Sequence, residues 1–171
     1  LRQSFEQMDV LICSQGMVLY KRAEFEPENF AKVVQVNLNS LMTCAGQFYD
    51  LLKAARGSLI IISSTAAFHA TVGNPGYNAS KAGAAGLTRT LGKAWAPEGI
   101  RVNGIAPGLI ATKMTKVTTD NPKRREATIG SIPLGRIGDP DDMAGLSLFL
   151  ASPLSNYVVG QTIIADGGLL L

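Results

Sequence analysis

Residues 59–62 read Leu-Ile-Ile-Ile, and a strand that is apolar at every position must be covered on both faces. Three further short β-competent runs, at 10–14, 101–106 and 161–165, alternate with longer segments of helical periodicity. Those helical segments span 27–54, 75–96 and about 140–151, with a helix end expected at 2–7 and a variable stretch between 106 and 140. Strands alternating with helices predict an α/β chain, a parallel sheet joined by right-handed crossovers. In such sheets ligands bind at the carboxyl ends of the strands, so the residues just after each apolar run become the candidates for chemistry.

Ser63 and Ser64 stand where the 59–62 run stops. Gly73, Asn74, Pro75 and Gly76 then break the chain before a helix carrying Tyr77 and Lys81, which are four apart and share one side of it. A free tyrosine has a pKa of about 10 and is a slow acid or base at neutral pH. An ammonium ~4 Å from the phenol, at an effective dielectric near 20, favours the phenolate by roughly 4 kcal/mol, enough to bring the group toward pH 7 before burial is counted. A hydroxyl beside the phenol can hold a carbonyl or alcohol oxygen. Tyr49 and Lys53 repeat the spacing, but Val36, not a serine, lies thirteen residues before that tyrosine. The serine at the strand end distinguishes the two pairs.

Two other segments bear on the same edge. From 27 to 53, Phe30, Val33, Val34, Leu41, Cys44, Ala45, Phe48 and Leu52 form one helical stripe with a gap that Asn37 fills, whereas Asn39 falls off the stripe. A buried amide in mid-helix is either a satisfied structural residue or part of a polar site. After the 101–106 strand, Pro107-Gly108 turns the chain abruptly.

The blocks Val36-Asn37-Leu38, Ile62-Ser63-Ser64, Tyr77-Asn-Ala-Ser-Lys81, Arg101-Val-Asn103, Ala106-Pro107-Gly108, Ile132-Pro-Leu-Gly-Arg136 and Asp166-Gly-Gly168 occur in this order along the chain. In them the sequence resembles the short-chain dehydrogenase/reductase family, of the 3-oxoacyl-carrier-protein reductase type, over essentially all 171 residues. The resemblance implies a Rossmann-like doubly wound parallel sheet, here its C-terminal four strands with flanking helices, in one domain over 1–171. It implies an NAD(P)-dependent oxidoreductase that interconverts a carbonyl and a secondary alcohol, with NAD or NADP left open. Tyr77 would be the general acid/base, Lys81 would tune it and hold the nicotinamide ribose, and Ser64 rather than Ser63 would orient the substrate oxygen. Asn37 would fix a water linking Lys81 to solvent. Pro107, Gly108, Ile110 and Thr112 would line the nicotinamide and phosphates, and Cys13 and Gly16 would border the cofactor.

Two departures accompany the likeness. The glycine-rich loop that presents a helix N-terminus to pyrophosphate does not occur in these residues, and Cys13-Ser14-Gln15-Gly16 replaces the family's Asn-Asn-Ala-Gly. The 10–14 strand is then expected at an unprotected edge, and the chain is expected to be part of a longer polypeptide. A catalytically silent structural or subunit-pairing fragment is the alternative reading.

Composition narrows the classes. Hydrophobic residues make up 46% and charged ones 17%, and no apolar run approaches the ~20 residues of a membrane span. Cys13 and Cys44 form no framework and fit reduced thiols in the cytoplasm, no spacing suggests a metal, and His69 reads as structural or solvent-facing. Lys113, Lys116, Lys123, Arg124 and Arg125 face only Asp120 in a stretch that the resemblance makes a substrate lid; without aromatic interleaving they do not indicate nucleic acid. Phe68, Val72, Met114, Val117 and Ile129 suggest a partly apolar substrate side. Gly83-Ala-Ala-Gly86 would let a helix approach closely, either from a second subunit, as a homodimer or homotetramer of the family would place it, or from within the chain.

Overall fold

The computed structural model describes residues 4–171. The chain runs through β1 (Val10–Cys13), α1 (Pro27–Val34), α2 (Ser40–Ala55), β2 (Ser58–Ile62), α3 (Pro75–Trp95) and β3 (Arg101–Pro107). It continues through α4 (Lys116–Thr119), α5 (Pro122–Ser131), α6 (Pro140–Ala151) and β4 (Thr162–Ala165). The strands form one parallel sheet in the order β1-β2-β3-β4.

The apolar run of β2 explains the layering. Successive side chains alternate between faces, so Leu59 and Ile61 pack with Leu41, Ala45 and Leu52 of α2 and Ala84 and Leu91 of α3. Ile60 turns the other way, onto Ile105 and Leu150, with Met143, Leu146 and Phe149 of α6 around it. Full burial of each such side chain is worth roughly 1.5–3 kcal/mol, and Leu59, Ile60 and Ile61 are all fully buried. Arg101, at the start of β3, holds the other end of α6 by donating to Leu150 O and Ser155 Oγ at 2.9 and 2.6 Å and to Ser152 O at 3.3 Å.

The expectation of uniformly right-handed crossovers does not hold. The strands advance in one direction, yet α2 and α3 lie on one face and α6 on the other, so the β3–β4 connection has the opposite hand to its predecessors. The excursion from Gly108 through α4 and α5 carries the chain past the carboxyl ends of the strands before it returns as α6. Of the expected helix end at 2–7, Ser4 is in a 3-10 turn and residues 5–7 are not helical, while residues 2 and 3 lie outside the described residues. Strand pairing stops at Cys13 and Ile62, just short of Ser14 and Ser64, because the chain turns into the loops that build the site.

The long helix of 27–55 is continuous but contains one widened π turn, Gln35–Asn39. Such turns occur often at functional positions, and this one carries the fully buried Asn37. Gly83 makes its close approach within the chain: a Cβ there would lie 2.6 Å from Leu38 Cδ2.

Candidate active site

Three of the polar residues at the sheet's carboxyl edge converge because of the elements that carry them. β2 ends and the chain bends through Ser64, whose Oγ accepts from Ala66 N at 3.2 Å as it caps a short 3-10 turn at Thr65–Ala67. α3 then runs back along the sheet, so that its first two turns set Tyr77 and Lys81 over that bend. The Tyr77 and Ser64 side chains face the same space, and the Ser64 hydroxyl is near enough to favour the phenolate. Lys81 is 4% exposed; its Nζ donates to Ile62 O at 2.8 Å and lies 5.7 Å from the centre of the Tyr77 ring. Ser63, by contrast, turns inward and donates to Lys81 O at 2.9 Å, a structural bond.

These groups open onto a cavity of about 390 Å³. Ile12, Ser14 and Gly16 line it from the β1 side, and Ile62, Ser64, Tyr77 and Lys81 form its centre. Pro107, Gly108, Ile110 and Thr112 line it after β3, where Ala111 N donates to Gly138 O at 2.8 Å and Gly138 N to Leu109 O at 3.1 Å, pinning the loop. Met143 and Ser147 of α6 complete the wall. No signal in the sequence singled out these two, since α6 reads as a core helix and reaches the cavity only by crossing to the opposite face.

The electrostatics differ from the arrangement expected of a lysine activating a phenol. Burial is the largest influence on Tyr77 and pushes its pKa above 10; the nearby Ser64 hydroxyl lowers it and the charge of Glu24 raises it. Burial also lowers the Lys81 ammonium from 10.5 to about 8. At neutral pH the phenol is therefore protonated, and the ammonium is held by the Ile62 backbone carbonyl.

The remaining expected residues fall in different places. Asn37 Nδ2 donates to Met17 O at 2.9 Å and to Ser80 Oγ at 3.1 Å, while its Oδ1 accepts from Met17 N at 2.7 Å. The amide thus ties the segment after β1 to α3, one layer behind Lys81. A Cβ on Gly16 would lie 3.6 Å from Lys81 Nζ and 3.8 Å from Asn37 Oδ1, so this backbone passes directly over the pair. The Cys13 side chain is the exception. Alternation along β1 turns it away from the cavity into the core with Leu41 and Ala45, so it presents no side chain to a cofactor. In place of the family asparagines, Gln15 Nε2 donates to Ser40 Oγ at 2.9 Å and anchors the same segment to α2.

Of the five apolar residues expected on a substrate side, Met114 lines the cavity. Phe68 instead borders a separate depression with Arg89, Lys93 and Gly160, and Val72 is 89% exposed. Tyr20 Oη donates to Met114 O at 2.8 Å and ties the basic stretch to the loop after β1. His69 is exposed, with Nδ1 2.9 Å from Thr65 O. Tyr49 and Lys53 both meet Glu98, the lysine at 3.1 Å, in a surface clamp between α2 and the end of α3. Sequence reasoning missed Glu24, a fully buried carboxylate that accepts from Tyr77 N at 2.8 Å.

Comparison with known proteins finds relatives of the chain over nearly its whole length. A family model described as enoyl-(acyl carrier protein) reductase matches residues 1–170. The chain is 43% identical over 168 residues to a 2-dehydro-3-deoxy-D-gluconate 5-dehydrogenase from Bacillus subtilis, covering 96% of this chain and 65% of that protein. It is 40% identical over 168 residues to the 3-oxoacyl-(acyl-carrier-protein) reductase FabG of Chlamydia pneumoniae, covering 95% and 66% respectively. Among solved structures, a gluconate 5-dehydrogenase from Burkholderia cenocepacia in complex with NADP and tartrate superposes with a TM-score of 0.92 at 30% identity, over 98% of this chain and 68% of that one. The chain thus spans just under two thirds of the length of these two curated relatives.

Proposed function

Because this chain belongs to the short-chain dehydrogenase/reductase family, we propose that it forms the C-terminal, site-bearing portion of an NAD(P)-dependent oxidoreductase that interconverts a carbonyl and a secondary alcohol. The observation that carries the reading is the convergence of Ser64, Tyr77 and Lys81 on one cavity at the carboxyl edge of the sheet.

The residues present fit the nicotinamide end of a dinucleotide. The cavity offers an ammonium and several hydroxyls against apolar walls of Ile12, Ile62, Pro107 and Ile110, which suits a ribose and a flat ring. A bound nicotinamide nucleotide supplies or accepts the hydride at carbon. Ser64 holds the substrate oxygen beside the phenol. Tyr77, protonated at neutral pH, gives its proton to that oxygen as the carbonyl is reduced and takes it back in the reverse direction. Lys81 would hold a ribose hydroxyl of the nucleotide and would offset the negative charge left on Tyr77. Asn37, through Met17 and Ser80, keeps that layer in register.

The relatives act on sugar acids and on acyl-carrier-protein thioesters by name, so a small ketone-bearing acid or a 3-oxoacyl thioester is the substrate class of this reading. Cytoplasmic location and a homodimer or homotetramer belong to it as well; exposed Leu148 of α6, Leu154, Tyr157 and Ile164 of β4 support self-association. Among the described residues no helix is long and apolar enough to cross a membrane. The exposure of Ile12 on the open edge of β1 favours a second reading, in which the chain holds a dinucleotide only when further strands pair there. Fluorescence titration of NADH and NADPH against this chain and against its full-length polypeptide separates the two. Binding by the longer form, with turnover of a 3-oxoacyl thioester or a keto sugar acid that Ser64→Ala slows, supports the enzyme; no binding by either form contradicts it.

A further inference from the structure

Glu24 sits in a place where a carboxylate is costly. It is fully buried, and among the described residues the ion pairs are Lys53–Glu98 and Arg136–Asp142, neither of which involves it. Its oxygens are instead held by three N–H donors. Leu19 N reaches Oε1 at 2.9 Å, Asn74 Nδ2 reaches the same oxygen at 3.4 Å, and Tyr77 N reaches Oε2 at 2.8 Å.

The third bond is the informative one. The first N–H groups of a helix have no partner within it, and the side chain of the preceding residue ordinarily accepts one of them. Asn74 occupies that position before α3 but makes no such bond; its Nδ2 instead donates to Leu19 O and to Glu24 Oε1. Glu24 therefore caps α3 from a remote loop, at the residue that carries the phenol. Its carboxylate also meets the positive end of the helix dipole, a favourable placement for an acidic side chain. Gly76 makes room for it: a Cβ there would lie 3.3 Å from Glu24 Oε2. The turn that sends Glu24 inward is strained, since Lys21 and Arg22 just before it both adopt left-handed backbone angles, with φ of 59° and 61°.

We propose that Glu24 is a positioning residue for Tyr77: its buried carboxylate fixes the first turn of α3, and so the direction in which the phenol enters the cavity. The inference rests on the reading of Tyr77 as the proton-transfer group. The groups facing Tyr77 are Ser64 from the bend after β2, Tyr20 and Glu24 from the loop after β1, and Lys81 from its own helix. Of these Glu24 is the anion, and its charge pushes the phenol's affinity for a proton upward.

The test follows the Tyr77 ring by NMR of ¹³Cζ-labelled tyrosine in the full-length protein, with Tyr77→Phe to assign the signal, alongside kcat and KM. Glu24→Gln should lower the Tyr77 titration midpoint by roughly half a pKa unit. It should also reduce kcat about tenfold or more through misplacement of the phenol, with KM little changed. Glu24→Asp, which keeps the charge on a shorter arm, should restore the midpoint more than it restores kcat. A folded Glu24→Gln protein with the wild-type midpoint and kcat overturns the proposal, as does Glu24→Asp behaving like Glu24→Gln at the midpoint. If neither variant folds, Gly76→Ala presses a methyl against the carboxylate while Glu24 remains; an unchanged kcat there overturns it equally. Should Tyr77→Phe retain wild-type turnover while Glu24→Gln still moves the Tyr77 midpoint, the reading of Tyr77 fails and the link from Glu24 to its ring stands.

Discussion

Lys81 Nζ lies 5.7 Å from the centre of the Tyr77 ring, and Lys53 Nζ lies 5.8 Å from that of Tyr49. The same four-residue spacing on a helix therefore gives nearly the same pair twice. What differs is the company. Glu98 claims both members of the Tyr49 pair on the surface, whereas Tyr77 meets Ser64 and Lys81 meets a strand-end carbonyl at the wall of a cavity. Function in this chain is a property of what surrounds the pair, not of the pair.

A buried ammonium has a thermodynamic signature. Lys81 is lowered from 10.5 to about 8, so below about pH 8 it is charged in both states and the folded state bears the whole desolvation cost, roughly 3 kcal/mol. Between about 8 and 10.5 the folded protein has released the proton and the unfolded chain has not, so stability rises with pH. Lys81→Met should therefore stabilise the fold at pH 7 by roughly 1–3 kcal/mol, after loss of the bond to Ile62 O is counted. The gain should shrink as the pH passes through that window. Urea unfolding from pH 6 to 10.5 reads both effects, and a variant less stable than wild type at pH 7 contradicts this placement of the charge.

Asn37 supports the site through Met17. Asn37→Ala should leave the Met17 N–H and C=O unpaired and cost roughly 2–4 kcal/mol. Amide exchange at Met17 should accelerate with it. A loss of stability without faster exchange at Met17 would mean that the amide acts elsewhere.

What could be read from the chain divides along physical lines. The 59–62 run announced its own burial because every residue was apolar, and Ser64, Tyr77 and Lys81 stood out because a strand end and one helical turn are local features. Glu24 did not, since a glutamate among Lys21, Arg22, Glu26 and Glu28 looks solvated, and its burial depends on a bond to Tyr77 across 53 residues of chain. The side of the sheet taken by α6, and with it Met143 and Ser147 at the cavity, depends on the path of the long loop, which no periodicity encodes. Cys13 was legible in principle: counting alternate positions from Ile12 and Ser14, both at the cavity, turns it to the core.

Gly83 offers a change of sign. Gly83→Ala should destabilise the protein by about 1 kcal/mol, because the new methyl meets Leu38 and the helix preference for alanine only partly offsets the clash. In a Leu38→Ala background the same substitution should stabilise instead. Thermal unfolding of the four proteins of this cycle measures the coupling, and additive effects would place the Gly83 contact elsewhere.

Proton delivery by the Tyr77 phenol at the reacting oxygen can be followed by single-turnover oxidation of NADPH or NADH by Tyr77→Phe in the full-length protein. The hydride-transfer rate should fall at least about 100-fold while coenzyme affinity changes little. Transfer at the wild-type rate by that variant would contradict proton delivery by Tyr77.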